Sequence, residues 1–328
     1  MVKVAKQILV TGAGGFIGSH LTELCVARGF KVKAFVHYNS SNHWGWLEDS
    51  PALKKIEVIT GDVRDYDSVF NAMKGCDTVF HLAALIGIPY SYVSPLAYIK
   101  TNVEGTYNVV ESARQQGVKH VLVTSTSETY GTAQYVPIDE KHPIVGQSPY
   151  AASKAGADQL ALSYYRSFGL PVTVVRPFNT YGPRQSARAI IPTVLTQVLS
   201  GAQEIKLGNT TPTRDLTYVS DTANAFLTIA AAKKLAGDVV NVGMNTEISV
   251  GELAAMIGQV CGKKIKIIED SQRVRLKSSE VERLRCDNTK VMAATDLRPA
   301  YDLPKGLKAT SDWIKKNLNL YKAGIYNV

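Results

Sequence analysis

The stretch VTGAGGFIGSH, Val10 to His20, decides how the rest of the chain is read. It sets Gly12, Gly15 and Gly18 three residues apart, directly after an apolar run and at the start of a helical pattern. Glycines so placed let the backbone turn tightly and approach a pyrophosphate, which then rests at the positive end of the helix. A glycine triplet alone says little. With a strand before it, a helix after it and a second strand–helix unit behind, it predicts a dinucleotide site.

Outward from that stretch, strand and helix signals alternate. KVKAFVHY, IEVITGDV, DTVFHLAA, HVLVTST and PVTVVRP read as strands. Helices are expected near Tyr66–Met73, within Ala97–Gly117 and from about Tyr150 to Phe168. This is the rhythm of a Rossmann-type α/β fold with a doubly wound parallel sheet. After Pro177 the pattern loosens, except for DVVNVG at 238–243, which reads as a strand returning to the sheet. The expected division is an NAD(P)-binding domain over 1–177 and a smaller mixed substrate domain over 178–328. An amphipathic helix near Ala309–Leu318 is expected towards its end.

Composition narrows the class. The 328 residues are 45% hydrophobic and 20% charged, as in an ordinary globular protein. No apolar run reaches the length of a membrane span, and the first strand follows too early for a signal peptide. Cys25, Cys76, Cys261 and Cys286 are scattered without metal-ligand spacing. Neither a disulfide nor a bound metal is expected, and a reducing cytoplasm is the expected location. The net charge of +9 is spread along the chain without a nucleic-acid motif. It reads as a solvated basic surface, or as an aid to a polyanionic small substrate, and not as a nucleic-acid site.

An acid at the end of the second strand would bind the adenosine ribose and favour NAD. AFVHYNSSN, Ala34 to Asn42, contains none. His37, Asn39, Ser40 and Ser41 offer hydrogen-bond donors instead, so the residues lean towards NADP over NAD. Asp62 and Val63, after the third strand, are placed to border the adenine.

Tyr150 and Lys154, in SPYAASKAG, fall one helical turn apart and share a face. A lysine cation and the nicotinamide charge are expected to lower the tyrosine pKa, making a general base of it. Thr126, at the mouth of the strand HVLVT, can hydrogen-bond the same substrate hydroxyl. Thr124 to Glu128 form an unbroken polar run there.

With these pieces the chain resembles the extended short-chain dehydrogenase/reductase superfamily over nearly its full length. The glycine motif, HLAA (81–84), TNVEGT (101–106), STSETYG, YAASK, RPFNTYGP and TRDLTYVSD carry the resemblance. HYNSSNHWGWL and RPFNTYGPRQSARAIIPT look particularly like nucleotide-sugar 4,6-dehydratases acting on nucleotide-linked N-acetylglucosamine. The resemblance implies a tightly bound cofactor, regenerated each cycle, against which Phe16, Ile17 and Ala83 also lie. It implies Tyr150 as the C4 base and Glu128 as the base for the C5 proton. Asn179, Arg214 and Arg275 would contact the substrate diphosphate, and Asn102 would support Lys154 indirectly. It also implies a homodimer through a four-helix bundle.

One departure stands out. Many such dehydratases carry an Asp-Glu pair where this chain has Ser127 and Glu128. A serine is too weak an acid to protonate the leaving hydroxyl unaided, so Glu128 would pass on the proton it takes. Thr-Ser-Glu also occurs in nucleotide-sugar uronate decarboxylases, which typically follow the lysine with arginine; here Ala155 follows Lys154. A 4-epimerase and a catalytically silent nucleotide-binding regulator are the other readings. Intact Thr126, Tyr150 and Lys154 argue against silence.

Overall fold

The computed structural model describes residues 6–274 and 277–322. Its centre is a seven-stranded sheet in which every pairing is parallel. The strands are β1 (Gln7–Thr11), β2 (Lys31–His37), β3 (Ile56–Gly61), β4 (Thr78–His81), β5 (His120–Thr124), β6 (Val172–Pro177) and the returning Val239–Val242. From one edge the order is Val239–Val242, β6, β5, β4, β1, β2, β3. The chain therefore reverses its direction of travel between β1 and β4. Ligands of such sheets bind beyond the carboxyl ends of the strands at this reversal.

The strands are mostly apolar at their centres because both faces are covered. Ile8, Val10 and Leu122 face one core with Leu21, Ala223 and Phe226, while Leu9, Val121 and Val123 face the other with Val69, Val110 and Ala161. A third core lies outside the sheet, where helices Ile190–Leu199, Val250–Val260 and Leu303–Lys316 pack through Val194, Leu195, Leu253, Ile257, Leu307 and Ile314.

Two helices differ from expectation. The final amphipathic helix starts earlier, at Leu303, because Asp302 caps it by accepting the Lys305 N–H at 2.9 Å. The helix expected within Ala97–Gly117 is interrupted by a π-helical turn, Ile99–Glu104, ahead of Gly105–Gln115. Asn102 sits in that turn and reaches out of it to Leu85. Among the described residues no helix is long and apolar enough to cross a membrane.

Candidate active site

The glycine-rich turn is built by exclusion. Gly12 leaves β1 with φ +69°, and a Cβ there would stand 2.7 Å from the backbone nitrogen of Ala83, so only glycine fits. Gly15 caps helix α1 (Phe16–Ala27), and a Cβ on Gly18 would meet the Gly12 carbonyl oxygen at 2.1 Å. Phe16 and Ile17 open α1 and lean on the third core.

A hydrogen-bond chain positions Ala83, and its members Thr11 and Thr106 were not singled out from the sequence. The N–H groups of Leu82 and Ala83 both donate to Thr11 Oγ1 at 3.2 Å. The Thr11 hydroxyl donates to His81 Nδ1 at 2.8 Å, His81 Nε2 donates to Thr106 Oγ1 at 3.1 Å, and the Thr106 hydroxyl donates to the Asn102 carbonyl at 2.6 Å. This needs a neutral imidazole. Burial, helped by the nearby Lys154 charge, pushes His81 down to about 3. Both threonines lie inside the quoted motifs, which was the available signal.

The loop after β2 is held together by its own side chains. The side chain of Asn39 is consumed internally: it donates to the carbonyls of His37 and His43 and accepts from His43 N–H and the Ser41 hydroxyl. Only His37 and Ser40 of the four expected donors remain exposed and unspent by the loop. The loop is pinned to the glycine turn by the Trp46 N–H, which donates to the Gly14 carbonyl at 2.9 Å. At the end of β3, Asp62 takes a bidentate pair from Arg64 and lies 3.9 Å from His37. The Arg64 guanidinium holds its carboxyl below the usual range. Val63 is buried beside it, its carbonyl accepting from Asn108.

At the catalytic end, Thr126 continues β5 in extended conformation and its hydroxyl accepts the Glu128 N–H at 3.2 Å. Tyr150 and Lys154 stand on the first two turns of helix Pro149–Phe168, which Ser148 caps through the Ala151 N–H. Both are buried. Burial pushes the Tyr150 phenol well above its ordinary range, the Thr126 hydroxyl pulls it down, and the Glu128 carboxylate pushes it up again. The lowered pKa expected from the sequence is thus not supplied by the protein alone, because desolvation outweighs the Thr126 hydrogen bond and the nearby carboxylates push the same way. Burial also brings Lys154 down to about 8, against the pull of Asp158.

Glu128 is half-buried, and its carboxylate makes no hydrogen bond among the described residues. Ser127, next to it, is buried. The Asn102 amide holds both polar groups of the Leu85 backbone and donates to Ser153 Oγ at 2.9 Å, making no hydrogen bond to Lys154.

On the substrate side, Asn179 carries a buried Oδ1 with no partner. Arg214 is not paired with the adjacent Asp215. It donates to the Thr213 carbonyl at 2.9 Å and to Glu280 at 3.2 Å, while Asp215 accepts three backbone N–H groups. Arg275 lies outside the described residues. The neighbouring segment is tied across the cleft by Gln147, which donates to the carbonyls of Ser278 and Glu280, and by the 2.5 Å contact of Tyr92 with Ser279. Sequence reading missed these ties, since partners more than a hundred residues apart leave no local signal.

The features fit NAD(P). The turn excludes every side chain where a pyrophosphate would approach. The buried Lys154 ammonium finds no hydrogen-bond partner among the described residues, and a ribose hydroxyl would satisfy it.

The family model described as GDP-mannose 4,6 dehydratase matches residues 9–310. A dTDP-glucose 4,6-dehydratase of Streptomyces antibioticus is 31% identical over 315 residues, covering 95% of this chain and 93% of that protein. A UDP-N-acetyl-alpha-D-glucosaminuronate decarboxylase of Bacillus cytotoxicus is 33% identical, covering 95% and 98%. The crystal structure of DesIV, a dTDP-glucose 4,6-dehydratase from Streptomyces venezuelae with NAD bound, superposes with a TM-score of 0.87 at 28% identity, covering 96% and 99%. The chain therefore belongs to the GDP-mannose 4,6-dehydratase family, NAD-dependent enzymes of nucleotide sugars within the extended short-chain dehydrogenases/reductases.

Proposed function

We propose that the chain is a nucleotide-sugar 4,6-dehydratase that converts a UDP- or GDP-linked N-acetylglucosamine-type sugar to its 4-keto-6-deoxy form. The observation that carries this is the unpaired carboxylate of Glu128 within electrostatic reach of Tyr150. An epimerase has no need of a second base there. NAD(P), when bound, supplies the hydride acceptor for C4 and the hydride donor for C6. Tyr150 takes the proton of the C4 hydroxyl, with Thr126 hydrogen-bonded to the same oxygen. Lys154 holds positive charge beside the phenol and lowers the cost of the phenolate. The C4 ketone acidifies C5–H, and Glu128 removes that proton. Because Ser127 is too weak an acid, Glu128 then hands its proton to the C6 hydroxyl, which leaves as water. A proton returns to C5 as hydride reaches C6, so no net redox change remains.

Asn179 and Arg214 are proposed to hold the substrate diphosphate, with Arg275 beside them. The Asn179 NH2 makes no hydrogen bond among the described residues and can donate to a phosphate oxygen, which a guanidinium also suits. The absence of an acid in 34–42 supports NADP, whereas NAD is bound in the solved relative DesIV. A cytoplasmic homodimer completes the reading. It is supported by exposed apolar side chains on the segment 88–115, Val93, Leu96 and Tyr107 among them.

Uronate decarboxylation is the second reading, favoured by the 33% identical relative of that name. Incubation with a panel of nucleotide sugars, read by mass spectrometry, separates the two. Loss of one water supports the dehydratase, and loss of carbon dioxide supports the decarboxylase. A product of unchanged mass overturns both in favour of epimerisation.

A further inference from the structure

Behind the catalytic lysine lies a buried charge cluster that the reaction as described does not use. Asp158 is fully buried one helical turn beyond Lys154 on the same helix. Its Oδ2 takes three donors: the Ser125 hydroxyl at 2.6 Å and Arg176 through Nε at 3.1 Å and Nη2 at 2.9 Å. Its Oδ1 is equally buried and has no partner. Arg176, 2% exposed, is itself packed over the Tyr130 ring at 4.8 Å. The arrangement ties three elements together, since Ser125 directly follows β5, Arg176 lies in β6 and Asp158 lies in the catalytic helix.

A buried carboxylate normally spreads its donors over both oxygens. Here all three crowd one oxygen, and the other is left without a partner on the helix face that carries Lys154. A buried, unsatisfied carboxylate oxygen one turn from a buried lysine is costly unless the lysine's charge offsets it.

We propose that Asp158, clamped by Arg176 and Ser125, is a positioning residue that keeps Lys154 charged and directed at the cofactor, acting from Oδ1 across an intervening water. This rests on the reading of Lys154 as the cation beside Tyr150. The clamp also joins the strand end carrying Thr126 to the helix carrying Tyr150, so it registers the catalytic groups against one another. Other groups around the lysine work differently. His81 of β4 is kept neutral by burial, Tyr150 and Tyr98 are uncharged phenols pushed upward by burial, and Glu128 acts on Tyr150. Asp158 is the charge that opposes the desolvation of Lys154.

The test is the titration of Lys154 itself, followed by NMR of 13Cε-labelled lysine in the full chain with and without NAD(P), the resonance being assigned with Lys154→Arg. Asp158→Asn should lower the lysine's proton affinity at least tenfold. Because an unpaired buried Arg176 destabilises that variant, Asp158→Asn/Arg176→Met removes both charges and should fold. Its lysine should still titrate below the wild-type value. In both, the alkaline limb of the pH profile for substrate-driven nicotinamide reduction should move to lower pH in step. An unchanged Lys154 titration in a folded variant overturns the proposal and leaves Asp158–Arg176 a packing pair. If no nucleotide sugar reduces the cofactor in the wild-type protein, the proposed function fails, while the lysine titration still decides this point.

Discussion

The Asp215 carboxylate accepts the backbone N–H of Cys286 at 3.1 Å, joining points 71 residues apart. It also accepts from Met244 and Thr246, at 2.8 and 3.3 Å. One acid thus gathers three chain segments beside Arg214.

Asp215→Asn should destabilise the fold by about 1–3 kcal/mol, because the new amide turns N–H donors towards N–H donors. Urea denaturation measures this. Burial raises Asp215 from 3.8 to about 6 in the folded chain. The folded state therefore binds the proton more tightly than the unfolded state. Stability from this group is greatest at low pH and falls as pH rises between those two values, levelling off above the upper one. The asparagine variant should lack that slope, and a variant with an unchanged slope refutes the assignment.

Glu128→Gln keeps the size of the side chain but cannot accept a proton. It should lower dehydration by roughly a hundredfold to ten-thousandfold while leaving substrate-driven nicotinamide reduction intact. Solvent deuterium should no longer enter C5. Dehydration near the wild-type rate would make the glutamate structural.

Tyr150→Phe should fail one step earlier. Without the phenolic oxygen the C4 hydroxyl keeps its proton, so no nicotinamide absorbance should develop on mixing with substrate. Development at the normal rate would remove Tyr150 from the mechanism.

Gly12→Ala places a Cβ 2.7 Å from the Ala83 nitrogen at a positive φ. Beyond a conformational cost of about 1–2 kcal/mol, the turn must open at the cofactor site. Nucleotide released from the denatured variant, assayed by chromatography, should fall to a small fraction of the wild-type amount. Full occupancy would show that the turn tolerates the methyl group.

Light scattering at micromolar concentration should give the mass of two chains. Val93, Leu96 and Tyr107 are 75%, 63% and 44% exposed, and Phe168 on the catalytic helix is 58% exposed. Leu96→Glu should yield monomers that remain folded. A wild-type monomer would leave this apolar surface without the proposed partner.

What was legible in the sequence is what short-range chemistry writes there. The alternation of apolar runs and helical patterns specifies a parallel sheet, because strands covered on both faces read as near-continuous apolar runs. Gly12 and Gly18 were readable because only glycine survives such close backbone approach. Tyr150 and Lys154 were readable because a helix brings residues four apart to one face. Thr126 and Glu128 stood out as polar groups at the end of a core strand.

Only the tertiary structure decided which groups answer one another across long stretches of chain. Arg214 meets Glu280 and not Asp215, and Asn39 spends its amide on its own loop. Gln147 and Tyr92 hold a segment more than a hundred residues away. The balance at Tyr150, where burial outweighs the Thr126 hydrogen bond, also depends on how much water the packed chain excludes. Spacing along a sequence records which side chains a helix or strand must align. Desolvation and long-range pairing depend on the position of every other element, so they come into being only when the chain has folded.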